Sequence, residues 1–217
     1  MKKLSLVLSV LLLVGMLASV SEAKAKVTLE FGHIQNPGHA LAIAPEEFKA
    51  MVEKRSNGQV KVNIYPSSQL GSAREMMEQV TMGTLDMTCC DTADWAAALN
   101  IPQLAVFNMP FLTKDLATQA KLIDGIVAQE VPKMLKDSNV RLLMTYSNGI
   151  RQPLLKTKPI TRLEDIKGVK MRTAETPLYV DIWNCLGAST VTSAWSEAYT
   201  LLQQGVADAV EADVTGL

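Results

Sequence analysis

Twice in this chain a helical stretch stops at a glycine, and three residues later an aspartate opens a strand: Gly83-Thr84-Leu85-Asp86 and Gly205-Val206-Ala207-Asp208. Glycine takes the left-handed backbone at a helix end without the steric cost of a Cβ, so each helix can turn tightly into the strand behind it. A chain that uses the device twice is expected to hold two lobes of similar construction.

The stretches around these turns predict an α/β fold. Val27, Leu29 and Phe31 alternate with polar residues at strand period, and Phe48, Met51, Val52 and Arg55 follow at helical spacing up to Asn57-Gly58. Val60, Val62 and Ile64 make a second strand. Ser72 and Glu75 form a capping box for a helix with Met76, Met77 and Val80 on its apolar stripe. Leu85 to Cys90 reads as a strand covered on both faces. Phe107 to Leu112 is a connection, followed by a helix from Leu116 to Leu135 and a strand from Val140 to Met144. Strands alternating with helices imply right-handed crossovers. A first lobe is expected over residues 24–146 and a second, incomplete one over 147–217.

The second lobe opens with Arg151, loops from Lys156 to Asp165, and makes a short strand ending at Arg172. Pro177 suits the first position of a helix that ends at Gly187. A segment from Ser189 to Ala194 leads to Trp195, and Ser196 is placed to cap the next helix. The sequence stops at Gly216-Leu217, straight after a strand, and the expectation is a C-terminally truncated chain that on its own binds weakly or not at all.

The first 23 residues have the pattern of an export signal: Lys2 and Lys3, an apolar run from Leu4 to Val20, then Ser21 and Ala23 at the −3 and −1 places of a cleavage site. A soluble, exported protein is expected. The 217 residues carry 21 Lys and Arg against 22 Asp and Glu, a net charge of −1, which gives no electrostatic reason for a nucleic-acid or anionic-membrane partner. Cys89, Cys90 and Cys185 are an odd count for an oxidising compartment, and the adjacent pair reads as small core residues.

Enzyme motifs for hydrolases, zinc proteases and nucleotide binders are missing. His33 and His39, six apart in a Pro/Gly loop, do not have metal-ligand spacing and are expected in solvent or in hydrogen bonds. No metal and no cofactor is expected.

The candidates that remain sit at strand ends. Arg172 leaves the core where its planar fork could hold one carboxylate by two bonds, or could equally make a surface salt bridge with Glu175 or Asp165. Trp195 is either a core staple or a pocket wall. Asp91, Asp94 and Trp95 lie at the carboxyl end of one strand, and Glu211 and Asp213 at the end of the last, which is where open α/β sheets place ligands. With Arg151 these make a cleft of two arginines, several carboxylates and an aromatic wall, better suited to binding than to catalysis.

From Val27 onward the sequence resembles the DctP-type substrate-binding proteins of TRAP (tripartite ATP-independent periplasmic) transporters. The blocks are Tyr65-Pro66-Ser67-Ser68-Gln69-Leu70-Gly71, Met109-Pro110-Phe111-Leu112, Glu164-Asp165-Ile166-Lys167-Gly168-Val169-Lys170-Met171-Arg172, Ser196-Glu197-Ala198-Tyr199 and Leu202-Gln203-Gln204-Gly205-Val206-Ala207-Asp208. The resemblance implies a two-lobed periplasmic binding protein with its ligand cleft between the lobes, a monomer that captures an organic acid and delivers it to ion-driven permease subunits. It implies that Arg172 makes the carboxylate salt bridge, that Arg151 assists and that Trp195 lines the pocket. A periplasmic ligand-sensing component is the alternative function. Where relatives often show Gln-Glu-Asn-Pro, this chain has Val210-Glu211-Ala212-Asp213. Asp91 and Asp94 stand where some sialic-acid binders carry a glutamate and an arginine, which argues against sialic acid, and several acidic groups beside an arginine suit a hydroxy acid, an amino acid or a carboxylate bound through a metal ion.

Overall fold

The computed structural model describes residues 25–156 and 159–213, so the expected export signal lies outside the described residues. Two sheets organise them. In the first, β1 (Val27–Gly32) lies between β2 (Val60–Tyr65) and β3 (Met87–Thr88), all parallel. Helix α1 (Ala40–Arg55) crosses from β1 to β2, and α2 (Ala73–Met82) from β2 to β3. Ser72 accepts from the Glu75 N–H while the Glu75 carboxylate accepts from the Ser72 N–H, completing the expected capping box. Met76 and Val62, both fully buried, pack the layer between helix and sheet.

The first sheet continues into α3 (Thr92–Leu99), a 3-10 segment Pro102–Asn108, and a long helix in two parts, α4 (Leu116–Leu122) and α5 (Ala128–Met134), joined by a π-turn at Ile123–Val127. Ala96, Leu104, Val127, Val131 and Leu135 form the buried cluster that holds these helices together. Two strand expectations are corrected. Leu85 to Cys90 contributes only Met87–Thr88, because the chain bends at Cys89 toward α3 after two ladder positions. Val140 to Met144 is not a strand: residues 140–150 carry no ladder, and Leu143 is exposed while Leu142 packs on the helical cluster.

The second sheet has the order β4 (Arg151–Leu155), β7 (Ala209–Asp213), β5 (Lys170–Thr173), β6 (Ser189–Thr192). Strand β4 runs antiparallel to β7, whereas β5 is parallel to both its neighbours. Helix α6 (Pro177–Cys185) starts on Pro177 as expected, and α7 (Ala198–Gln203) precedes β7. Ile166, Met171, Trp183 and Ala209 are the core of this layer. Ser196 does not cap α7; it lies inside a 3-10 turn, Trp195–Glu197, which feeds the helix directly and takes the cap position away from its hydroxyl.

The paired glycine turns are built alike. Gly83 and Gly205 have φ of 76° and 72°, and the aspartates beyond them bond to the neighbouring strand in the same way. Asp86 Oδ2 accepts from the Glu30 N–H at 2.8 Å, and Asp208 Oδ2 from the Lys170 N–H at 3.1 Å. Each carboxylate thereby satisfies a backbone donor at a strand that would otherwise be unpaired there.

Candidate functional site

The carboxyl ends of both sheets face a cavity of about 1060 Å³. Asp91, Asp94, Trp95 and Asn108 line it from one side; Arg151, Arg172, Thr176, Trp195 and Asp213 line it from the other. All the expected site residues except Glu211 therefore meet at one cavity.

Arg172 sits on β5 beside Met171, which points into the core; strand alternation sends the arginine to the opposite face. It is 2% exposed, so the alternative of a surface salt bridge with Glu175 or Asp165 does not hold. Its Nε donates to Ser193 Oγ at 3.1 Å, its Nη2 donates to the Ser193 carbonyl, and its Cζ lies 5.5 Å from the centroid of the Trp195 ring. Trp195 is thus a wall of the cavity that stacks on the guanidinium. Among the described residues no carboxylate forms an ion pair with Arg172. Burial lowers its pKa to about 10, against the opposing pull of Glu211, which leaves it a cation at neutral pH.

Arg151 has a different environment. On β4 it stands opposite Asp213 and diagonal to Glu211 of β7, on the same face of the sheet. Nε and Nη2 clasp both oxygens of Glu211, with Nε to Oε2 at 2.7 Å, and Nη1 reaches Asp91 Oδ2 at 3.2 Å. Its Cζ lies 4.7 Å over the Tyr179 ring. With its side-chain amide turned to suit its neighbours, Asn148 accepts from Arg151 Nη1 at 3.1 Å and donates to Asp213 Oδ2 at 3.2 Å. Burial alone would lower the Arg151 pKa, but the hydrogen bond and charge of Glu211, with Tyr179 and Asp91, raise it instead. Glu211, 2% exposed, lies behind this arginine.

Asp91 occupies the cap position of α3 yet makes no side-chain cap bond; its carboxylate turns into the cleft to Arg151 and to the Tyr179 hydroxyl, which donates to Oδ2 at 3.0 Å. Tyr179 in turn accepts from Asn108 Nδ2 at 2.9 Å. Asp94 accepts from the Thr176 hydroxyl. Burial, then the nearby charge of Asp91, raises the Asp94 carboxyl to about 7. Tyr179, Asn108, Asn148, Thr176 and Ser193 were not expected from sequence. The bonds of Tyr179, Thr176 and Ser193 to the site, and that of Asn108 to Tyr179, span 21 to 88 residues, so no local spacing marks them, and Asn148 joins the nearby Arg151 to the distant Asp213.

The histidines form hydrogen bonds: His33 Nδ1 accepts from the Gln35 N–H at 3.2 Å, and His39 Nδ1 caps α1 by accepting from Leu41 at 3.1 Å. The three cysteines form no disulfide. Cys89 and Cys90 are partly buried, with burial pushing the Cys90 thiol well up, and Cys185 is exposed. Among the described residues no group of three or more His, Cys, Asp or Glu side chains could hold a metal ion, and no helix is long and apolar enough to cross a membrane.

The profile of the bacterial extracellular solute-binding proteins of family 7 (DctP) matches residues 31–215, and the chain belongs to this family. A solute-binding protein of Roseobacter denitrificans is 31% identical over 201 residues, spanning 91% of this chain and 60% of its own. The structure of the same Roseobacter protein as a TRAP periplasmic solute-binding protein with bound L-galactonate superposes with a TM-score of 0.80, at 28% identity, over 89% of this chain and 63% of that one. A TRAP periplasmic solute-binding protein from Ochrobacterium anthropi with bound L-fuconate superposes at 0.80, with 35% identity over 89% and 64% of the two chains. One from Polaromonas with D-erythronate superposes at 0.82, with 28% identity over 88% and 62%. The chain spans about three fifths of the length of these relatives. Its fold is the two-lobed α/β architecture of periplasmic binding proteins, with the cleft between the lobes.

Proposed function

We propose that the cleft captures a hydroxylated organic acid, with Arg172 as the group that grips its carboxylate. The observation that carries this reading is a buried cation at the cavity wall with no carboxylate paired to it among the described residues. A buried charge is costly unless it is paired, and Arg172 is already aimed by Ser193 and Trp195. A ligand carboxylate supplies the missing partner through charge-assisted bonds to the fork. Arg151, held by Glu211 and Asp91, assists by presenting a fixed, neutralised polar wall. Asp91, Asp94 and Asp213 offer acceptors to ligand hydroxyls.

In this reading residues 24–146 and 147–217 form the two lobes, which close on the acid by hinge motion. The protein works as a monomer in the periplasm after removal of residues 1–23, and it passes its ligand to TRAP permease subunits. The ligands in the related structures, L-galactonate, L-fuconate and D-erythronate, are acids of the expected kind.

A thermal-shift screen of the full-length protein against sugar acids and simple carboxylates tests the capture. A ligand that binds only the folded state raises the melting temperature, by an amount corresponding to about 2.7 kcal/mol at a hundred times its Kd. A screen in which no carboxylate moves the transition contradicts the reading.

A further inference from the structure

The charge around Arg151 deepens the capture reading and rests on it: if Arg172 holds one carboxylate, the remaining charges set how many carboxylates a ligand can carry. Two guanidiniums line the cavity, and their surroundings differ. Arg172 has no acidic partner among the described residues. Arg151 has two, Glu211 through both oxygens and Asp91 through Oδ2, and Asn148 accepts from it as well. Asp213 stands directly opposite Arg151 on the neighbouring strand and adds a further acidic group on the same side.

We propose that this site selects monocarboxylate polyhydroxy acids over the matching dicarboxylates, and that Glu211 sets the selection by neutralising Arg151. A ligand carboxylate bound at Arg172 places the far end of the ligand against Arg151, Asp91 and Asp213. A hydroxyl there donates to the carboxylates. A second carboxylate there meets Glu211 and Asp91 as well as Arg151, more negative than positive charge, and Arg151 is already paired. Like-charge juxtaposition of this kind is a device for rejecting a wrong ligand as well as for choosing the right one.

Matched pairs test this by titration calorimetry: L-galactonate with galactarate, and D-erythronate with meso-tartrate. In each pair the diacid differs only by oxidation of the terminal CH₂OH. The expected result is a monoacid Kd at least about tenfold lower than that of its diacid, since like charges brought together weaken binding. Glu211→Gln keeps the side-chain shape but leaves Arg151 with one acidic partner fewer. It is expected to narrow the monoacid preference by about tenfold, chiefly through tighter diacid binding. Asp91→Asn, which also removes a charge from Arg151, narrows it in the same direction and serves where Glu211→Gln does not fold. Diacids binding as tightly as monoacids to the unaltered protein, or an unchanged preference in both variants, overturns the selection while leaving carboxylate capture standing. Failure of every acid to bind the unaltered full-length protein overturns capture itself.

Discussion

The Tyr179 hydroxyl donates to Asp91 Oδ2 across 3.0 Å, and with that bond a helix of the second sheet is tied to the cap residue of a helix from the first. The same hydroxyl accepts from Asn108 Nδ2 at 2.9 Å, and its ring lies under Arg151. Tyr179 is therefore the point at which the two sides of the cleft and the Arg151 cluster share one side chain. Tyr179→Phe keeps the ring under the guanidinium but leaves the Asn108 Nδ2 donor without its acceptor and takes one donor from Asp91 Oδ2, which still accepts from Arg151. Denaturant unfolding is expected to show a loss of about 1–3 kcal/mol, the cost of leaving buried polar groups unsatisfied. An unchanged midpoint and slope would mean the bond contributes nothing to the fold.

Asp94 makes stability depend on pH. Its carboxyl is raised from an ordinary 3.8 to about 7 by burial and by the charge of Asp91. The folded protein therefore holds this proton more tightly than the unfolded chain does. The resulting stabilisation is complete below about pH 4 and is lost as pH rises through about 7. Asp94→Asn, which cannot ionise, is expected to flatten the fall in melting temperature over that window. The same slope in variant and parent would place the titration elsewhere.

The two glycine turns are expected to respond alike. A Cβ at Gly83 or Gly205 would meet nothing within 4 Å, so substitution costs backbone conformation rather than packing. Gly83→Ala and Gly205→Ala are each expected to lower stability by about 1–2 kcal/mol, the penalty of the left-handed conformation for a residue with a side chain. Stability unchanged by both substitutions would show that these helix ends relax without the glycine.

What the sequence made legible follows from the range of each interaction. The Ser72–Glu75 capping box, Pro177 at the start of its helix and Gly83 at the end of another are set by residues within four positions of one another, and all appear as expected. The stretch Val140 to Met144 has strand composition, but a strand requires a ladder partner, and no local pattern shows that one is lacking. At the site, strand ends alone brought Asp91, Arg151, Arg172 and Asp213 to one cavity. The division of labour between the arginines was not legible. It depends on Glu211 and Asp91, each 60 residues from Arg151 in sequence, and on Ser193, which turns Arg172 toward the cleft.

The most direct measurement is calorimetric titration of the protein and its Arg172→Ala and Arg172→Lys variants with the sugar acid that binds best. Arg172→Ala is expected to cost about 2–5 kcal/mol, or about 30-fold to several thousand-fold in Kd, the usual loss when one member of a buried charge pair is removed. Arg172→Lys, which keeps the charge and loses the planar fork, is expected to fall between the two. Folding of each variant is checked by its melting transition without ligand. Unchanged affinity in a folded Arg172→Ala variant would contradict the role assigned to Arg172.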